Sequence, residues 1–260
     1  MAVNDLPKLL EHTGSLVAFA EKLLAERIPY EEEDHLAFMG LLSVCQQLQF
    51  LKSLKLLVEN DLGVSAGLIA RAMLESMCFF KWCANDSSIR PLQWRAFTWV
   101  KDFRLMRQKE SMGEIVPCAK KTEISKGLQK YGDYLLSDEA TKAKRDGKIL
   151  PEDPYVKKWP NKKTIREIFE EVGASPLYEM LYQPWSDLTH GNAASFAEQV
   201  RRDSQGIYFA FAPPTESATA LKAGFQSFIE SFELLNSHLQ LQKGLDISNF
   251  RQQYVAALQT

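Results

Sequence analysis

The chain has 260 residues, of which 45% are hydrophobic and 25% charged, with a formal net charge of −2. That length accommodates one large helical domain or two small ones, and the composition is ordinary for a globular protein. The near-neutral charge argues against a generally basic nucleic-acid binder while leaving room for a local basic patch.

The N-terminal MAVNDLPKLLEHTG has no basic region followed by an apolar core, so no signal peptide is expected and the cytoplasm is the default location. Asn4–Glu26 is predicted as the first helix. Leu6, Leu9, Leu10, Leu16, Val17, Phe19 and Leu23 recur at three- and four-residue spacing, Asn4 or Asp5 can cap it, and Pro29 ends it. The acidic run Glu31–Asp34 suits the start of a second helix that continues to Glu59. Asn60–Gly63 is a turn. The next helix, from about Val64 to Ala84, is apolar nearly all round and is therefore expected at the centre of its domain. Within it, Cys78 and Cys83 sit among Phe79, Phe80 and Trp82; with no CxxC pair in the chain, they read as small core residues of a reducing compartment. No uncharged apolar run reaches about 18 residues, so no membrane span is expected.

Pro91 to about Met112 reads as an aromatic and basic helix, and a polar helix is predicted over Thr122–Leu136. Ala140–Pro160, with Gly147 and three prolines, reads as a loop. Pro117–Glu170 holds 13 Lys/Arg against 9 Asp/Glu, the only notably basic stretch. A solvated insertion is the plainer reading, because no aromatic ladder accompanies its lysines. Lys163–Val172 is a short helix. Ser175, as N-cap, and Pro176 then open a helix through His190 that Pro184 should kink, with Gly191-Asn192 as its stop. Gly206–Ala212 is strand-like and either pairs with Phe196–Arg201 or crosses the helices as extended chain. Thr215–Leu241 and Ser248–Leu258 close the chain as helices, the first rich in Phe and able to serve a homodimer. The expectation is an all-α, single-domain multi-helix bundle over 1–260. It carries one short strand-like segment or hairpin near 196–212 and a basic loop-rich insertion at about 137–162.

Two features of this bundle carry chemistry. Arg71 and Glu75 stand four apart on the apolar helix and so share a face. Buried there, each charge needs further partners, because desolvating an ion costs several kcal/mol. Tyr178, Tyr182, Ser186 and His190 recur every fourth residue and form a polar-tipped stripe on their own helix. That stripe offers hydroxyls to accept from Arg71 and an imidazole N–H to donate to Glu75.

RAMLES (Arg71–Ser76) and YQPWSDLTHGN (Tyr182–Asn192), with WPNKKTIREIFEEVG (Trp159–Gly173) before the latter, resemble a bacterial family known as a domain of unknown function. The shared pattern is R-x-x-x-E followed by Y-x-x-x-S-x-x-x-H, and the resemblance spans roughly Val44–Ala194. It implies an all-helical fold and no established activity, and some members look associated with anti-phage defence. The R-x4–6-H motif of HEPN ribonucleases is missing.

Three functions fit these residues. In the enzymatic one His190 is the general acid or base, Glu75 orients it, and Arg71 binds a phosphodiester. Metal-independent RNA cleavage suits that set, since RNA supplies its own 2′-hydroxyl. Arg71, Tyr182, Ser186 and Asn192 would line the ligand site, the ligand being RNA or a small phosphate-bearing molecule. The second is ligand sensing or partner binding with Arg71 as anion anchor. The third is a structural core network in a non-catalytic interaction protein. No cofactor motif is present, and a metal set of Glu32, Asp34 and His35 is disfavoured because successive helical residues diverge by about 100°.

Overall fold

The computed structural model describes residues 6–160, 162–190, 200–209 and 214–257. It is all-α with one small hairpin, as the periodicity predicts. In chain order the helices begin α1 (Leu6–Leu24), α2 (His35–Glu59), α3 (Gly63–Ala84), α4 (Arg90–Ser111) and α5 (Cys118–Tyr131). A 3-10 turn (Gly132–Leu135), α6 (Asp138–Arg145), α7 (Ile165–Glu171), α8 (Ser175–Leu177), a π turn (Tyr178–Tyr182) and α9 (Gln183–Thr189) follow. The strands are β1 (Val200–Asp203) and β2 (Gly206–Phe209), and α10 (Pro214–Leu239) and α11 (Gly244–Ala257) complete the chain. These elements form two compact units: Met1–Trp82 with Ile165–Thr260, and Cys83–Thr164.

The first unit is built on α2, α3 and α10. Of the α3 residues only Ser65 is exposed, which is the pattern of a central helix. By length and composition alone α3 could cross a membrane. Its apolar surface is met instead by neighbouring helices: Met73 and Leu54 close on Gly224, and Phe80 and Leu235 close on Gly40. A buried polar seam runs through the same three helices. Gln47 Nε2 donates to the Met73 carbonyl (3.3 Å) and to Ser231 Oγ (2.9 Å), and the Ser43 and Ser76 hydroxyls lie 3.0 Å apart. Such bonds fix register, because an unpaired buried amide costs more than the bond returns. At the start of α2, Asp34 accepts from the Ala37 N–H (2.8 Å), and both its oxygens lie within 2.9 Å of His238 Nε2 at the end of α10. Burial alone would raise the Asp34 carboxyl, but these donors hold it below its usual range. Cys78 is buried and free, its thiol pushed up to about 12 by burial.

The hairpin pairs antiparallel in the register Val200↔Phe209, Arg201↔Tyr208, Arg202↔Ile207 and Asp203↔Gly206. Of the two readings the sequence allows for Gly206–Ala212, strand pairing is therefore the one observed, although the first strand begins at Val200 within the described residues.

In the second unit α4 packs with α5 over a core of Ala96, Phe97, Val100, Leu135 and Val156. The expected loop over Ala140–Pro160 is corrected at its start. α6 covers Asp138–Arg145, with Ser137 as a true N-cap accepting from the Ala140 N–H (3.1 Å) and Ala140 fully buried. The rest of the stretch is fastened rather than loose. Leu136 and Tyr155 form an isolated antiparallel bridge, and Arg104 donates to the Tyr155, Val156 and Lys157 carbonyls and to Asp153. The helix expected at Thr122 starts four residues earlier, at Cys118, directly after Pro117, whose fixed φ suits that boundary.

Candidate functional site

α3 supplies the two charges and the segment before α9 supplies the group between them. Arg71 Nη2 donates to Tyr182 Oη (3.1 Å), and Tyr182 Oη donates to Glu75 Oε2 (3.0 Å). Directly, Arg71 Nη2 and Glu75 Oε2 are 4.0 Å apart. The phenol thus bridges an ion pair that is itself at the limit of contact. The pair is less buried than the apolar sequence around it suggests, with 21% of the Arg71 side chain and 37% of the Glu75 side chain exposed.

Tyr182 is held from several sides. The Arg71 guanidinium carbon lies 4.8 Å from its ring centroid, Tyr178 stacks on it at 5.3 Å and 22°, and Phe169 of α7 meets it at 5.2 Å. Arg166 sits 5.9 Å from the Tyr178 ring and extends the stack. Burial, and next the Glu75 charge, raise the Tyr182 hydroxyl above its usual value, with Arg71 opposing. It therefore stays protonated at neutral pH and can act as the donor that the geometry requires.

The local backbone explains how Tyr178 and Tyr182 come to stack. Pro184 has no N–H to offer the carbonyl four residues back. The chain answers with a π turn just before it, in which the Gln183 N–H bonds the Tyr178 carbonyl five residues back. Ser175 is not the cap the sequence suggests. That position is Ala174, which has no side-chain cap bond, and Ser175 lies inside the first turn beside Pro176.

One further contact sets the direction of the pairing. A Cβ on Gly67 would lie 2.6 Å from Trp185 Nε1, so only glycine lets the indole rest there. Trp185 thus meets residue 67 while Tyr182 meets residues 71 and 75, and α9 runs antiparallel to α3. Moving along α9 toward His190 therefore moves away from Glu75. The eight residues from Tyr182 to His190 amount to about 12 Å of helix axis.

The structure therefore brings together Arg71, Glu75 and Tyr182 and leaves two members of the stripe outside their network. Ser186 is half-buried and His190 exposed, and neither side chain bonds to Arg71, Glu75 or Tyr182. Glu75 takes its proton donor from Tyr182, in the place where the sequence suggested His190. Asn192 lies outside the described residues. Trp185, Phe169 and Arg166 were not anticipated. A glycine inside a helix, such as Gly67, is the signal that could have pointed to a close approach there.

Arg71 has donors to spare. A guanidinium carries five N–H groups. Only Nη2 is bonded among the described residues, and Nε is buried without a partner there. The side chain is thus positioned by Tyr182 while most of its hydrogen-bonding edge remains unused.

Comparison with curated proteins and with solved structures gives no match. Residues 36–207, more than half of the chain, match the family described as "Family of unknown function (DUF5677)". The chain is a member of that family.

Proposed function

We propose that the protein binds a phosphate-bearing ligand through Arg71. The observation that supports this reading is the guanidinium itself: seated on the Tyr182 ring, fixed by one bond to its hydroxyl, and carrying a buried Nε–H with no described partner. A buried unsatisfied donor costs about 1–3 kcal/mol, and a phosphate oxygen would satisfy it with a charge-assisted bond. Glu75 does not cancel this. Its carboxylate is occupied by Tyr182 and stands 4.0 Å from Nη2, the atom already bonded to the phenol. Calorimetric titration with pyrophosphate tests the reading. Saturable binding that Arg71→Lys abolishes supports it, because lysine cannot reproduce the planar fork. Heat equal to buffer dilution, or equal affinity in Arg71→Lys, rejects it.

RNA cleavage is the catalytic extension of this reading. His190 is exposed and has no described side-chain partner, so it is open to act as general base on a strand held at Arg71. Glu75 accepts from Tyr182, so this extension gives that carboxylate no orienting role. Metal-free cleavage of a short RNA that His190→Ala abolishes, at unchanged melting temperature, would establish the extension. Cleavage that persists in that variant would remove it and leave a binding protein.

A further inference from the structure

The division into units is also a division of charge. Cys83–Thr164 holds 18 Lys/Arg against 11 Asp/Glu, a surplus of seven, while the rest of the chain holds 13 against 22, a deficit of nine. The overall charge of −2 hides this opposition.

Within the basic unit the acids are largely spent on internal pairs. Asp86, Asp102, Glu110, Glu114, Glu123, Asp133, Asp138, Asp146, Glu152 and Asp153 each lie against a lysine or arginine. Arg104 and Arg107 are spent too, on carboxylates and on backbone carbonyls of the 152–157 segment. What remains is lysine. Lys101, Lys126, Lys142, Lys157 and Lys158 are exposed and pair with no carboxylate among the described residues.

Three of these are gathered by Arg104. Lys101 lies three residues before it on α4 and so shares its face. Lys157 and Lys158 lie on the segment whose carbonyls Arg104 holds against α4 (3.0–3.3 Å). Lys101 is steadied over the Phe97 ring at 5.6 Å. On the side of α4 toward α5, Gly127 allows the Trp99 indole to lie flat against α5, with Lys120 5.8 Å above the ring.

We propose that the second unit binds a nucleic-acid strand through its phosphodiester backbone, where Lys101 of α4 meets the segment carrying Lys157 and Lys158. This rests on the lysines of the second unit and does not depend on Arg71. Lysine without free arginine suits point-charge contacts to successive phosphates, and it is the wrong composition for a protein interface, where arginine is enriched and lysine depleted. An anionic bilayer would instead engage the most exposed apolar side chains of the unit, Ile115 (95%) and Ile149 (97%), which belong to other segments.

The test is fluorescence anisotropy of the full chain with a labelled single-stranded RNA of about 20 nucleotides and with the matching DNA, between 50 and 200 mM salt. Neutralising about three phosphates on a single strand predicts a log–log salt slope of about −2. Lys101→Gln/Lys157→Gln/Lys158→Gln should weaken binding at least tenfold and flatten the slope, with an unchanged circular-dichroism spectrum. Lys8→Gln/Lys22→Gln/Lys52→Gln in the first unit removes the same charge and should leave the affinity within twofold. Binding to both polymers, or to RNA alone, supports the assignment and identifies its source. Four results overturn it: no binding at 50 mM salt; equal loss in the two triple variants; capture by phosphatidylserine vesicles, lost in Ile115→Ser/Ile149→Ser, in place of nucleic acid; or salt-sensitive self-association in sedimentation without nucleic-acid binding.

Discussion

The twelve largest fully buried side chains, from Leu9 to Phe232, all belong to the first unit, whereas the second is organised around Ala96, Phe97, Val100, Leu135 and Val156. Where the first unit has three long helices closing on phenylalanine and leucine, the second has a guanidinium gripping three carbonyls. The contrast has a physical basis. A smaller segment buries a smaller share of its apolar surface, so directional polar contacts must supply more of its order. The same contrast separates the two functional proposals. In the first unit a single cation is fixed by an aromatic and a phenol. In the second, several exposed lysines are left over after the internal pairs are made.

Five substitutions test this contrast, from an expected loss of several kcal/mol down to a few tenths. Phe228→Ala empties a fully buried site between the long helices and should cost about 3–5 kcal/mol in urea unfolding. A loss below 1 kcal/mol would mean the first unit is not held by that core. Arg104→Ala should cost about 2 kcal/mol, since bonds from a charged donor are the strong ones. It should also release amide protection across residues 153–157 in hydrogen exchange. Burial would raise the Asp153 carboxyl, yet the Arg104 bonds and the Tyr155 N–H hold it low, in keeping with a true grip. A neutral Arg104→Ala would show that the apolar core alone suffices.

Tyr182→Phe keeps the ring and removes the bridge between Arg71 and Glu75, for an expected loss of about 1 kcal/mol. Arg71→Ala should cost only about 1–2 kcal/mol, less than the 3–5 kcal/mol of a fully buried broken pair, because Glu75 retains access to water. A larger loss would show the site to be closed. The smallest effect is acidic. A carboxyl held below its unfolded value contributes stability above about pH 4 that is lost as pH falls through the lower folded value. Asp34→Asn keeps an N-cap but not the charge facing His238. It should flatten the stability profile below about pH 4 by a few tenths of a kcal/mol. An identical profile in the two proteins would remove that contact from the account.

Much of this architecture was legible in the chain. The helical periods of α1, α2, α3 and α10 follow from leucine and phenylalanine spacing, and the central place of α3 from its lack of a polar face. α6 was obscured because only Ala140 and the Ser137 cap distinguish it from a charged loop. The partnership of residues 71, 75 and 182 follows from the chemistry of a buried pair in search of donors. Its exclusion of His190 does not, because spacing along one helix says nothing of the direction in which the next helix crosses it. That direction is set by Gly67 and Trp185, a fit of shape that no charge pattern announces. The opposed charges of the two units were half visible as a basic stretch, and became a boundary only once the fold showed where each unit begins.

The most direct measurement is a 15N–1H spectrum of the arginine Nε–H groups during a titration with pyrophosphate. A buried, unpartnered Arg71 Nε–H predicts a protected signal that vanishes in Arg71→Lys and moves saturably as the ligand is added. An Arg71 signal that exchanges freely with water and stays in place throughout would contradict the assignment of this guanidinium as the anchor.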